Sequence, residues 1–205
     1  MKKSILFLFG LFLGITNIIA QGFPTISTNE NTKWYLIQFM NGGNAITAES
    51  AGAQITTATA TGSDAQLWKI TGDATNGYTF TNKKGNILYV SSAAKNQMVK
   101  ATTSTTGVSK FFINPTGNST YSGGFEIQPK GNTSVSMNLW GGPSENRGVG
   151  LWDKSDQNNP VQFVEYTVFE NLGNISVIPY PAEMTVGEGS LAVSSLSAIT
   201  YPNEE

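Results

Sequence analysis

Sliding the sequence along itself by 43 residues sets Tyr35 on Tyr78, Ile37 on Phe80, Gly42 on Gly85, Gln54 on Gln97, Ala58-Thr59 on Ala101-Thr102, Trp68 on Phe111 and Ile70 on Ile113, with no gap. A period of this size marks a fold assembled from equivalent units that cannot bury their apolar faces alone. A third, less regular copy opens at Phe125-Glu126-Ile127. Its Gly131-Asn132 answers Gly85-Asn86, and Phe163 reads as the counterpart of Phe111 at 52 residues. Trp68, Phe111 and Phe163 are therefore expected to be structural core, where three units meet around one axis.

The units read as β-structure. Trp34-Tyr35-Leu36-Ile37-Gln38-Phe39, Gly77-Tyr78-Thr79-Phe80-Thr81 and Phe125-Glu126-Ile127-Gln128 are short runs of β-prone residues that end in Asn, Gly and Lys turns. The Thr-rich stretches 54–61 and 99–106 are poor in helix formers. Roughly four strands per unit would give about twelve, which fits an all-β antiparallel barrel with a cap of hairpins. A two-sheet sandwich is the alternative, but three equivalent units divide awkwardly between two sheets.

Composition narrows the chemistry. Among 205 residues there is no Cys and no His, and 12 basic residues face 14 acidic ones. The absences exclude disulfides, thiolate zinc sites and His-containing catalytic triads. The charge balance offers no excess of cations for a phosphate backbone, so no nucleic-acid partner is expected. Neither a metal nor a cofactor is expected. Asp153 and Asp156, in the polar run 153–158, read as solvated turn carboxylates, and Lys83-Lys84 reads as a turn. Carboxylates, amides, hydroxyls and aromatic faces remain, and these suit a binding module.

The first twenty residues read as a secretory signal. Lys2-Lys3 precedes the apolar run 5–15, and Ala20 offers a small residue for cleavage. Eleven apolar residues are short of the roughly 20 that a spanning helix needs. With no Cys available for lipid attachment, the expectation is a periplasmic or extracellular bacterial protein, not held in a membrane after cleavage, and monomeric.

Gln66-Leu67-Trp68 resembles the Gln-x-Trp element that closes each repeat of ricin-type β-trefoil lectins, and Val161-Gln162-Phe163 reads as a worn copy. The resemblance covers about residues 30–168 and implies a β-trefoil of three repeats. Its third repeat matches best, through Met137-Asn138-Leu139, Gly148-Val149-Gly150-Leu151-Trp152-Asp153 and Asn158-Asn159-Pro160. The resemblance implies a sugar site there, with a polar residue at Asn138, a stacking ring at Trp152 and an amide at Asn159. Trp140 beside Gly141-Gly142 is a second candidate ring. An aromatic face can cover the C–H face of a pyranose while amides bond its hydroxyls. The first two repeats carry Ile55-Thr56-Thr57 and Met98-Val99-Lys100 at the matching place, with no ring, and read as blind.

The segment 172–205, with Ile178-Pro179-Tyr180-Pro181 and Gly187-Glu188-Gly189-Ser190, resembles the start of the noncatalytic N-terminal α+β domain of family 20 glycoside hydrolases, the β-N-acetylhexosaminidases. That resemblance implies a truncated copy of the domain. The family's catalytic Asp-Glu pair is absent from this sequence, so no catalytic residue is assigned. The expected function is a carbohydrate-binding module of a secreted hexosaminidase, acting on glycans that include N-acetylhexosamine. The alternative is a protein-binding or structural β-trefoil adaptor, because fold does not imply function.

Overall fold

The computed structural model describes residues 22–104 and 107–166. The expected leader and the hexosaminidase-like segment lie outside the described residues. Twelve strands run in chain order among the described residues. They are β1 Trp34–Phe39, β2 Ala45–Thr47, β3 Thr56–Ala58, β4 Leu67–Asp73, β5 Gly77–Asn82 and β6 Ile87–Val90. β7 Val99–Thr102, β8 Phe111–Pro115, β9 Phe125–Pro129, β10 Val135–Leu139, β11 Val149–Asp153 and β12 Val161–Tyr166 follow.

Six of them close a ring. β1 pairs β4, β4 pairs β5, β5 pairs β8, β8 pairs β9, β9 pairs β12, and β12 returns to β1, all antiparallel. Closure leaves the barrel without unpaired edges. The other six form the hairpins β2–β3, β6–β7 and β10–β11. Bridges Gln54–Lys100, Met98–Gly150 and Thr56–Gly148 tie each hairpin to the next, so the three make one cap. This is a β-trefoil.

Inward alternation fills the interior. Strands β6, β8 and β12 show strict or near-strict burial of every second residue. Tyr35, Phe80, Phe111, Phe125 and Phe163 make tilted, edge-on and stacked ring contacts at 5.8–6.5 Å between centroids. At the barrel end away from the hairpins, Phe23 packs its ring on Tyr78 and Phe125.

The ladders correct the alignment of the third repeat. Trp68 pairs with Tyr35 and Phe111 pairs with Tyr78, but the residue that pairs with Phe125 is Val161. Phe163 pairs with Ile37, as Ile70 pairs with Phe80 and Ile113 with Ile127. Val161 thus holds the closing position, and Phe163 sits one inward step further along its strand. Both are buried. The sequence misleads because Val161-Gln162-Phe163 puts a glutamine and an aromatic side by side, with the aromatic two residues beyond the closing position.

This register gives Asn159 the place of Gln66, two residues before the closing core residue. Gln66 is buried; its Nε2 donates to Thr59 O (2.9 Å) and Thr47 Oγ1 (3.2 Å), and its Oε1 accepts from Thr61 N (2.8 Å). Asn159, fully buried, likewise donates from Nδ2 to Asp153 O (2.8 Å) and accepts at Oδ1 from Asn138 Nδ2 (2.8 Å). In both repeats a buried amide staples the end of the hairpin to the barrel strand that follows it.

Candidate functional site

The third repeat holds a cleft of about 370 Å3, lined by Asn96, Asn138, Trp140, Gly141, Trp152, Asp156 and Asn158. Hairpin β10–β11 supplies Asn138 and Trp152 from its two strands, in a register that pairs Asn138 with Gly150 and Ser136 with Trp152. Trp140 follows directly on β10. Its indole lies over Gly150, where an added Cβ would fall inside the ring, so the missing side chain lets the indole settle against the hairpin. Trp140 Nε1 is buried without a partner among the described residues.

A chain of hydrogen bonds fixes the polar wall. Asn159 Nδ2 is committed to a backbone carbonyl, so its Oδ1 must accept, and Asn138 must turn its Nδ2 towards it. The same Nδ2 donates to Asp156 Oδ1 (3.0 Å), which also accepts from the backbone N–H of Asn158 (2.8 Å). Both Asn138 amide hydrogens are thereby used, and its Oδ1 is left to accept. Asn158 Oδ1 accepts from Asn41 Nδ2 (2.7 Å), which leaves the Asn158 amide as a donor. The loop is pinned from behind by Glu126, a buried carboxylate on β9 that accepts from Ser155 N (2.9 Å) and Thr116 Oγ1 (3.0 Å).

The second repeat also contributes. Asn96, held at φ 67°, donates its backbone N–H to Leu151 O (2.9 Å), and this places it beside β11. Lys95 sets its ammonium 3.7 Å from the centroid of the Trp152 ring and pairs with Asp153 Oδ2 at 2.6 Å.

The structure therefore brings together Asn138, Trp140 and Trp152 in the cleft wall and sets Asn159 behind it, where it orients Asn138. Trp68, Phe111 and Phe163 are buried away from the site. Asp156 is not a fully solvated turn carboxylate: it is half-buried and bonded into the wall, whereas Asp153 is exposed and tied to Lys95. Asp156, Asn158 and Asn96 were missed from the sequence. The adjacent amides Asn158-Asn159 were a usable signal, because one had to be the staple and the other could face outward. In the first two repeats Thr57 is buried and bonded to Ser144 O (3.0 Å), and Val99 is buried. Among the described residues no three His, Cys, Asp or Glu side chains gather as they would to hold a metal ion.

No protein-family model and no curated protein matches the sequence. Solved structures do match the fold. A designed threefold-symmetric protein, ThreeFoil, superposes with a TM-score of 0.57 at 17% identity, over 65% of this chain and 99% of that one. A ricin B-like lectin from Macrolepiota procera, solved with lactose, gives 0.56 at 15% identity over 68% of this chain and 98% of the lectin. An exo-β-1,3-galactanase from Clostridium thermocellum gives 0.58 at 18% identity, over 69% of this chain but only 31% of the enzyme. At these identities the likeness is one of fold, the β-trefoil.

Proposed function

We propose that this chain is a carbohydrate-binding β-trefoil module whose site is the third-repeat cleft. The observation that carries the reading is the pairing of two indole walls, Trp140 and Trp152, with a fixed polar wall of Asn138, Asp156 and Asn158 in one cleft. Flat apolar faces beside a few well-placed amides and a carboxylate match a pyranose, which has an apolar face and a hydroxyl rim. The ricin B-like neighbour that was solved with lactose supports the reading. A glycan array probed with the wild type and with Trp152→Ala tests it: signal from the wild type only is expected. Absence of signal from the wild type on every glycan would favour the adaptor.

The module serves, in this proposal, a secreted β-N-acetylhexosaminidase. The support is the likeness of segment 172–205 to that family's N-terminal domain, together with the apolar leader at residues 5–15. A β-trefoil also matches about a third of a galactanase, so the fold does occur as one part of a longer glycosidase. Sequencing the reading frame around Glu205 for a continuation bearing an Asp-Glu pair tests the parent enzyme, and a chromogenic N-acetylglucosaminide assay of the product tests its activity. N-terminal sequencing of the exported protein tests the leader.

A further inference from the structure

The cleft carries a carboxylate, Asp156, that has no ion-pair partner among the described residues. Among the described residues, every group that donates to the Asp156 carboxylate is neutral: the Asn138 amide and the Asn158 backbone N–H, both on Oδ1. No lysine or arginine among the described residues forms an ion pair with it: Lys95 at the rim is committed to Asp153, and the Arg147 guanidinium lies against Gly141. Lys95 also shows what this hairpin can hold. Its ammonium rests on the Trp152 indole and against a carboxylate at once. The cleft repeats those ingredients inside, with indoles from Trp140 and Trp152 and the carboxylate of Asp156.

An ammonium over indole faces gains from the ring quadrupole, and on a carboxylate it makes a charge-assisted hydrogen bond. A neutral hydroxyl on the same carboxylate gains only the weaker bond, and an anionic sugar is repelled. Resting on the sugar-binding reading above, we propose that the site selects a glycan unit with a free, protonated amine, an unacetylated 2-amino-2-deoxy sugar, over its N-acetylated counterpart.

The test is titration calorimetry on the full chain at pH 6 and low salt, with a β-1,4-linked glucosamine oligomer and its fully N-acetylated form. The oligomer with free amines should bind about tenfold tighter, the scale of one charge-assisted bond exchanged for a neutral one. Asp156→Asn keeps the acceptor for Asn138 and Asn158 and should bring the ratio of the two affinities to about one. Asp156→Glu, which keeps the charge, should retain a preference. A wild-type ratio near or below one, or a preference that survives Asp156→Asn, overturns this proposal while leaving sugar binding intact. Failure of the wild type to bind these oligomers or any glycan overturns both.

Discussion

Trp68→Ala tests the threefold core most directly. The side chain is fully buried at the closing position of the first repeat, paired across the ladder with Tyr35. A Trp buries about 150–250 Å2, which at about 25 cal/mol per Å2 bounds the lost transfer energy at roughly 4–6 kcal/mol. The unfolded chain already hides part of that surface, which lowers the figure to about 3–5 kcal/mol, the range measured for large aromatic truncations. Its Nε1 bond to Ile46 O is long at 3.3 Å and adds about 0.5 kcal/mol. A loss near 4 kcal/mol is a large share of the roughly 5–15 kcal/mol that holds a domain together. Urea unfolding followed by far-ultraviolet circular dichroism is the assay, because the substitution removes one of the four tryptophans and complicates fluorescence. The midpoint should fall steeply with the slope unchanged. A loss within about 0.5 kcal/mol, the range of surface substitutions, would refute the placement of Trp68 at the shared axis.

Trp152→Ala should abolish glycan binding while shifting stability by no more than about 1 kcal/mol, since the ring is half-buried and the contact it loses is the Lys95 cation–π pair; array signal and urea midpoint check the two halves. Gly150→Ala should push the Trp140 indole off the hairpin, changing tryptophan emission and weakening binding, because the new Cβ lands inside that ring; unchanged emission and affinity would contradict the wall as described. Asn159→Ala should cost about 2 kcal/mol by stranding Asp153 O and half of the Asn138 amide, and should weaken binding through Asn138; calorimetry and urea unfolding read both. In the β4–β5 turn, hydrogen bonds from the Asn76 side chain and from the backbone of Asn76 and Thr75 hold the Asp73 carboxyl below its ordinary value of 3.8. Its contribution to stability is present above the unfolded value and is lost as pH falls through the folded one, so Asp73→Ala should flatten the acid limb of a stability-against-pH curve.

The fold was legible because periodicity survives in one dimension. The 43-residue offset and the alternating runs report which residues share a face, and a chain with three equivalent faces has few ways to bury them. Strand count and core aromatics followed from that alone. The third register did not. Two overlapping segments competed: Asn159-Pro160-Val161 offers an amide two residues before an apolar side chain, and Val161-Gln162-Phe163 offers a glutamine directly before an aromatic one. Only the ladder partner, Phe125, chose between them.

The site was half legible for the same reason. Asn138, Trp140 and Trp152 belong to one hairpin, and local spacing brings them together. Lys95 and Asn96 arrive from the preceding repeat through backbone bonds across the cap, Asn41 from the first, and the pinning Glu126 from a barrel strand. Sequence determined the three units, their strands and their apolar faces, since these depend on the order of side chains along the chain. Tertiary structure alone decided that Asn159 faces inward and Asn158 outward, and that Asp156 stands in the cleft without an ion-pair partner among the described residues. Those outcomes depend on which groups from distant units reach hydrogen-bonding distance once the barrel has closed.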